Sequence, residues 1–418
     1  MNPPIAATAL APSTPLRQRA DYTYKHNHKS GRHGWLRLTP AYSVKVVDEL
    51  LSAFPGDPVH VLDPFCGTAT TALCAASRGH AATTVEINPF LVWLAATKTA
   101  RYSATTIQAT RHACAEALAL VKKRGFTPMA EPPIHNIERW WNAPARAFLC
   151  RLRPAIEQAT AEHSPERSLL LVAFCRTLIT LSNAAFNHQS MSFRDDDQAE
   201  LDLPADLPGL FRDDVSHILT GAMQAPDAET RIIHGDARTL GQIQDRFDLV
   251  ITSPPYANRM SYIRELRPYM YWLGYLTSGR DAGELDWQAI GGTWGIATSR
   301  LTDWQPDGKP FLPKWMAPTL DKIAHADNAN GQLLANYIAK YAEDMWHHFA
   351  GLAQIMAPGG KVNYIVGNST FYGTLLPTER LYVDMLAELG FTDIDARAIR
   401  KRNSKKELIE FDVSGRWK

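Results

Sequence analysis

Two short segments of this chain hold residue types whose order and spacing suit chemistry. Thr252-Ser253-Pro254-Pro255-Tyr256 follows the apolar run at 247–251. A strand that meets Pro-Pro cannot extend its hydrogen-bond ladder, so the backbone must leave the sheet as a stiff turn. The carbonyls of such a turn are rigid acceptors. They suit an amino group that must be held with its nitrogen lone pair aimed at a methyl donor. Tyr256 adds an aromatic face on which a base can stack. A surface turn with a packing tyrosine is the plain alternative, but it does not account for this run of residues at a strand end. The second segment is Asp63-Pro64-Phe65-Cys66-Gly67-Thr68-Ala69-Thr70-Thr71. Here a strand ends in a turn whose Gly67 lets the backbone approach a ligand closely. Glu86 ends the next apolar run, where an acidic side chain can accept hydrogen bonds from two ribose hydroxyls. A glycine turn alone is an ordinary strand-to-helix connection, and Glu86 alone a solvated acid. Together they point to a nucleoside-type ligand.

These segments need elements to position them. Residues 59–87 read as strand, tight turn, helix stopped by Gly79, and strand, and a second helix opens at Pro89. That βαβα run implies a parallel sheet with right-handed crossovers. Long helical patterns follow at 106–125, 142–159 and 164–186 with no clear strand among them. Strands resume at 230–236 and 246–252, then a helix at 261–276. A helix at 333–356 leads through Pro358-Gly359-Gly360 into a strand at 361–367. The last two strands, at 391–400 and 407–413, have no helix between them and predict an antiparallel hairpin at the sheet edge. The expected organisation is a mobile tail at 1–20, a first half-domain at 21–103, a helical insertion at 104–227 and a second half-domain at 228–418. Within the last, residues 277–330, rich in Gly, Pro, Asp and Trp, read as an irregular segment that could contact DNA.

Composition excludes some classes. Of the 418 residues, 45% are apolar and 21% charged, as in a soluble globular protein. The net charge of +1 means that any nucleic-acid contact rests on local basic patches. Candidates are the His26, His28 and His33 loop, with its Lys and Arg neighbours, and the basic run at 400–406; solvated loops are the alternative for both. Cys66, Cys74, Cys114, Cys150 and Cys175 form no CxxC pair and read as reduced thiols of a cytoplasmic protein. No secretory signal, membrane-spanning run or metal motif is legible.

The chain resembles the DNA amino-methyltransferases that make N4-methylcytosine and N6-methyladenine. DPFCGTATT at 63–71 is similar to their cofactor motif, usually DPFCGTGTT, and TSPPY to their catalytic (D/N/S)PP(Y/F) motif. Residues 38–42 (LTPAY), 85–89 (VEINP), 234–238 (HGDAR) and 253–274 (SPPYANRMSYIRELRPYMYWLG) extend the likeness, which covers about 35–100 and 230–415. It implies a seven-stranded, mostly parallel Rossmann-like methyltransferase sheet with one antiparallel edge strand and a helical insertion. It implies S-adenosyl-L-methionine as cofactor, bound by Thr39, Pro40, Tyr42, Asp63, Pro64, Phe65, Cys66, Gly67, Thr68, Glu86, Asn88, Asp236 and Ala237. Glu86 would hold the ribose and Asp236 the adenine amino group. Ser253, Pro254, Pro255 and Tyr256 would be catalytic, with Asn258, Arg259 and Tyr262 on the target side. The partner implied is double-stranded DNA with one base flipped out; a cognate restriction or defence system is a further partner that the resemblance raises. The Ser form of the motif is associated chiefly with cytosine-N4 enzymes. Adenine N6, guanine N2 of RNA and a non-catalytic DNA-binding relative remain as alternatives. Two departures stand out. Ala69 replaces the family's second glycine, adding a methyl where the cofactor's methionine end should pass, and the insertion exceeds a usual crossover. Cytosine-C5 chemistry would need a cysteine after proline, and a zinc deaminase His-x-Glu with Pro-Cys-x-x-Cys; neither is present.

Overall fold

Apolar runs closed by glycine, proline or polar turns assemble into one central sheet in a computed structural model of the chain. The structure describes residues 16–36, 38, 41–54, 56–185, 192–193, 204–308, 310–326, 330–402 and 407–418. Strands β1 (His60–Asp63), β2 (Ala81–Glu86), β5 (Thr230–His234), β6 (Phe247–Thr252), β7 (Met356–Gly367), β10 (Thr392–Lys401) and β11 (Ile409–Arg416) form it in the order β10-β11-β7-β6-β1-β2-β5. Two small hairpins, β3 (Ala184–Ala185) with β4 (Ser192–Phe193) and β8 (Ser369–Phe371) with β9 (Thr374–Leu376), stand apart. From β5 to β7 every neighbouring pair is parallel. The chain then closes with the expected hairpin. β11 runs antiparallel to both β7 and β10 and inserts between them, so the outermost strand β10 again points with the others. This is a Rossmann-like sheet, with its strand reversal between β1 and β6.

Three cores surround the sheet, the smallest packing Val61, Leu249 and Ile251 of the sheet against Val47, Leu51 and Ala72. Of the two larger, one joins Phe90, Leu91 and Leu94 of the Pro89–Thr99 helix to the inserted helices Ala104–Lys122, Ala143–Ala159, Pro165–Thr180 and Leu207–Ala222. It also takes in Trp272, on the helix Tyr262–Trp272 that follows the Pro-Pro turn. Trp141 packs edge-on against Trp272 at 5.6 Å and stacks on Trp140, so the pair is core, as expected, and braces that helix. Arg32 fastens the insertion to the sheet body. Its buried guanidinium donates to the carbonyls of Gly221, Ala222, Lys98 and Ala100. The His26–His33 stretch is a run of 3-10 turns that buries Asn27 and Arg32 and leaves His26 and His28 exposed. The second core joins β6 and β7 to the helices Gly331–Ala353 and Thr378–Glu388 through Tyr337, Tyr341, Phe349, Tyr364 and Tyr382.

Two expectations are corrected. Residues 277–330 are only partly irregular where described: they form the helices Gly279–Gln288, Ile296–Asp303 and Met316–Ala324, joined by turns at 289–295 and an irregular stretch at 304–315. Several of their polar and glycine residues are helix ends. Ser278 and Asp281 make a reciprocal capping box, and Gly295 opens the next helix with φ +62°. Of the tail, residues 1–15 lie outside the described residues, but residues near 20 are bound to the body: the Arg17 carbonyl accepts from the Lys401 amide, and Asp21 pairs with Lys45 at 3.1 Å. Among the described residues no helix is long and apolar enough to cross a membrane.

Candidate active site

The carboxyl ends of β1, β2, β5 and β6 lie along one edge of the sheet and open into one cleft. Tyr42, Pro64, Phe65, Cys66, Gly67, Thr68, Glu86, Asn88, Asp236 and Ala237 line it, and so do Ser253, Pro255 and Tyr262. Thr39 and Pro40 lie outside the described residues. Gly67 has φ +50°, a conformation that side chains strain against. Its amide donates to Glu86 Oε2 at 2.9 Å, and the Asn88 amide donates to Oε1 at 2.8 Å. Two backbone amides thus aim the carboxylate, and each oxygen keeps a lone pair for a hydroxyl donor. Desolvation outweighs both amides and pushes the Glu86 carboxyl up to about 7. Asn88 caps the Pro89–Thr99 helix by accepting from the Phe90 amide at 3.0 Å.

Asp63 stands behind the turn rather than in the cleft wall. Its Oδ1 accepts from Thr252 Oγ1 at 2.6 Å and from the Phe65 amide at 3.1 Å, tying the end of β1 to the end of β6. Burial pushes its carboxyl up to about 6. Ala69 also faces away. It takes the left-handed conformation (φ 60°, ψ 34°) at the start of the Thr70–Ala76 helix, fully buried in a small core with Val47, Cys66 and Ala72. Its methyl therefore does not lie in the path of a cofactor, because the turn aims it into the protein. Beneath, the buried Lys98 ammonium donates to the Thr68 carbonyl at 2.5 Å, and desolvation lowers its pKa to about 8.

Asp236 is engaged. Both its oxygens accept from the Arg238 guanidinium, at 2.6–3.0 Å, while Arg238 also reaches Asp344 at 2.8 Å. Sequence reasoning did not find His348. Burial lowers its pKa to about 4, so it is neutral. A carbonyl can only accept, so Nδ1 donates to the Ala237 carbonyl at 2.9 Å and Nε2 accepts from the Tyr364 hydroxyl at 2.6 Å. Its ring also sits 4.8 Å from that of Phe65. Gln288, Ala289 and Ile290, from the segment taken as irregular, complete the cleft wall.

At the Pro-Pro turn the Pro255 carbonyl accepts from the Tyr341 hydroxyl at 2.8 Å, and Tyr341 in turn meets Tyr382 at 2.6 Å. Among the described residues the Pro254 carbonyl receives no hydrogen bond. Ser253 Oγ donates to Tyr256 Oη at 3.5 Å, and Tyr256 Oη donates to Glu410 Oε1 at 2.8 Å. Arg400 holds Glu410 with a two-pronged contact at 2.6 and 2.9 Å, so this arginine of the basic run is spent internally. The Arg402 guanidinium lies 5.0 Å from the Tyr256 ring centroid; residues 403–406 of that run lie outside the described residues. Pro254 and Tyr256 back the turn rather than line the cleft, and Asn258 and Arg259, which shape its exit, do not line it either. Asn258 Oδ1 accepts from the Met260 amide at 3.0 Å. Arg259 is held at φ +61°, its amide donating to Tyr337 Oη at 3.2 Å.

No protein-family model and no curated protein sequence matches the chain. Among solved structures it is similar to the rRNA methyltransferase AviRa of Streptomyces viridochromogenes. The two are 12% identical over 90% of this chain and 86% of that one, with a TM-score of 0.27. A likeness of that size carries no functional argument here.

Proposed function

We propose that the protein is an S-adenosylmethionine-dependent methyltransferase that acts on the exocyclic amino group of a base in double-stranded DNA, with cytosine N4 as the target atom. The observation that carries this reading is that Gly67 and Glu86 line the same cleft as Ser253 and Pro255. A nucleoside-type cofactor and an amino-group acceptor would therefore meet without any change of fold. The donor set fits the cofactor: a carboxylate aimed by two amides for the ribose hydroxyls, beside the apolar walls of Phe65, Ile87 and Ile290. When bound, S-adenosylmethionine supplies an electrophilic methyl group. On the protein side, Ser253 Oγ and the unengaged Pro254 carbonyl would accept the two amino hydrogens, drawing the nitrogen lone pair out of conjugation with the ring. Tyr256 would support the base by stacking. No thiol nucleophile is called for, and burial pushes Cys66, beside the cleft, well above the usual thiol range.

Nucleoside mass spectrometry of DNA and RNA from cells expressing the protein tests this reading. N4-methylcytosine in DNA is the expected product. Methyladenine alone would change the base and keep the enzyme class. Methylguanine confined to RNA would change the substrate, and no new methylated nucleoside in either polymer would overturn the reading.

A further inference from the structure

We propose that Glu410, acting through Tyr256, sets the direction of the hydrogen bonds at the Pro-Pro turn so that Ser253 meets its substrate as an acceptor. This role rests on the function proposed above, and Glu410 is a positioning residue because it touches only protein. A hydroxyl carries one hydrogen and can serve as donor or acceptor, so Ser253 alone has no fixed sense. A carboxylate paired with a guanidinium only accepts. Glu410 is nearly inaccessible and is gripped by Arg400 at 2.6 and 2.9 Å, so it can only accept from its remaining neighbour. Tyr256 Oη supplies that hydrogen at 2.8 Å. Having spent it, Tyr256 Oη can only accept, and Ser253 Oγ donates to it. The Ser253 hydrogen thereby points away from the substrate and its lone pairs stay free for an amino group. Burial holds the Tyr256 phenol well above its usual pKa, which keeps this hydrogen in place at neutral pH.

The geometry also explains why a charged network from the β10–β11 hairpin reaches the end of β6. A neutral serine at this position lacks the fixed acceptor character of an aspartate. A carboxylate two hydrogen bonds away restores it without placing a charge against the base.

The test is a double-mutant cycle on initial rates of methyl transfer from tritiated S-adenosylmethionine to unmethylated plasmid DNA, with total RNA as a parallel substrate. Glu410→Gln keeps the shape but presents an amide that can donate to Tyr256. Tyr256→Phe removes the hydroxyl and keeps the ring. Each single variant should lower kcat by about tenfold or more with KM within twofold. The double variant should be no slower than Tyr256→Phe, because both break one chain. Thermal melts identify variants that fail to fold, and Glu410→Asp, which keeps the acceptor, then stands in for Glu410→Gln and should retain most of the parent kcat. Fully additive losses, or a Glu410→Gln enzyme with the parent kcat, would overturn the positioning role while leaving the methyltransferase reading intact. No transfer by the parent chain to DNA or RNA would overturn both.

Discussion

The two sides of the cleft are built from opposite materials. The side formed by β1 and β2 holds its key acid with backbone: the amides of Gly67 and Asn88 grip Glu86, and among the described residues no cation pairs with it. Burial, which the amides only partly offset, puts Glu86 high, at about 7, and Asp63 behind it at about 6. The side at the end of β6, backed from outside the cleft by the β10–β11 hairpin, holds its groups with other side chains. Ser253, Tyr256, Glu410 and Arg400 form one chain of contacts, and Tyr341 supports the turn from below. An acid held by amides can be aimed while remaining easy to protonate. An acid gripped by a guanidinium is fixed in place and accepts from its remaining neighbour. The first arrangement suits recognition of hydroxyl donors. The second suits a reaction that needs a defined acceptor.

The largest expected effect is on the amide-held side. Glu86→Ala should weaken S-adenosylmethionine binding by about 1.5–3 kcal/mol, the range for hydrogen bonds to a charged group, with DNA affinity unchanged. Calorimetry on the folded variant checks it, and parent-like affinity would remove Glu86 from the cofactor site. The matching cut on the other side is Tyr256→Ala. It should cost target binding about 1–3 kcal/mol through lost stacking, with cofactor affinity unchanged. Equal losses in both affinities from either variant would mean that the two sides do not divide the work as their construction implies.

Much of this division was legible in the chain, and the reason is local. Strand, turn and acid at 60–86, and strand with Pro-Pro at 247–256, lie within single stretches, so pattern and turn chemistry report on them directly. The groups that set their states come from far away in sequence. Glu410 is separated from Tyr256 by 154 positions and His348 from Ala237 by 111. Neither sits in a motif, and a lone buried histidine or glutamate carries no periodic signal. The misreading of 277–330 has a different cause. Short capped helices are built from the same Gly, Asp, Ser and Pro residues that mark loops, so composition alone could not separate them. Ala69 was visible as a departure, but which way its methyl points depends on the backbone angle.

The raised acid gives the comparison a pH signature of intermediate size. Ribose hydroxyls need an acceptor, so cofactor binding favours the ionised Glu86. With a free-protein pKa of about 7, affinity should be full above pH 8 and fall by about tenfold per unit below 7. Stability of the unliganded protein runs the other way. The folded pKa exceeds the ordinary 4.5, so this contribution is largest below 4.5 and is lost as pH rises through 7. Titration calorimetry between pH 5.5 and 8.5 checks the first sign and thermal melts without cofactor the second. A cofactor affinity flat across that range would show that Glu86 is ionised throughout, or that it does not contact the ligand.

The smallest effect expected is the one that a reading by motif alone would rank high. Restoring glycine at Ala69 ought to open the cofactor's path if the methyl stood in it. The structure places that methyl in a core with Val47 and Ala72, away from the cleft. Ala69→Gly should therefore leave S-adenosylmethionine affinity unchanged. Its effect on stability is a near-cancellation. Relief of the left-handed backbone is worth about 1–2 kcal/mol. Against it stand about 0.8 kcal/mol for one buried methyl and about 0.4–1 kcal/mol for the freer unfolded chain. The net should lie within about 1 kcal/mol of zero. Ala69→Val separates the two ideas more sharply, because branching at Cβ strains this backbone further and overfills the small core. It should lower the melting temperature and leave the affinity of the remaining folded protein as it was. If glycine instead tightens the cofactor by tenfold or more while stability stays put, the methyl does face the ligand. The turn at 66–70 would then have to be redrawn with its Cβ side toward the cleft.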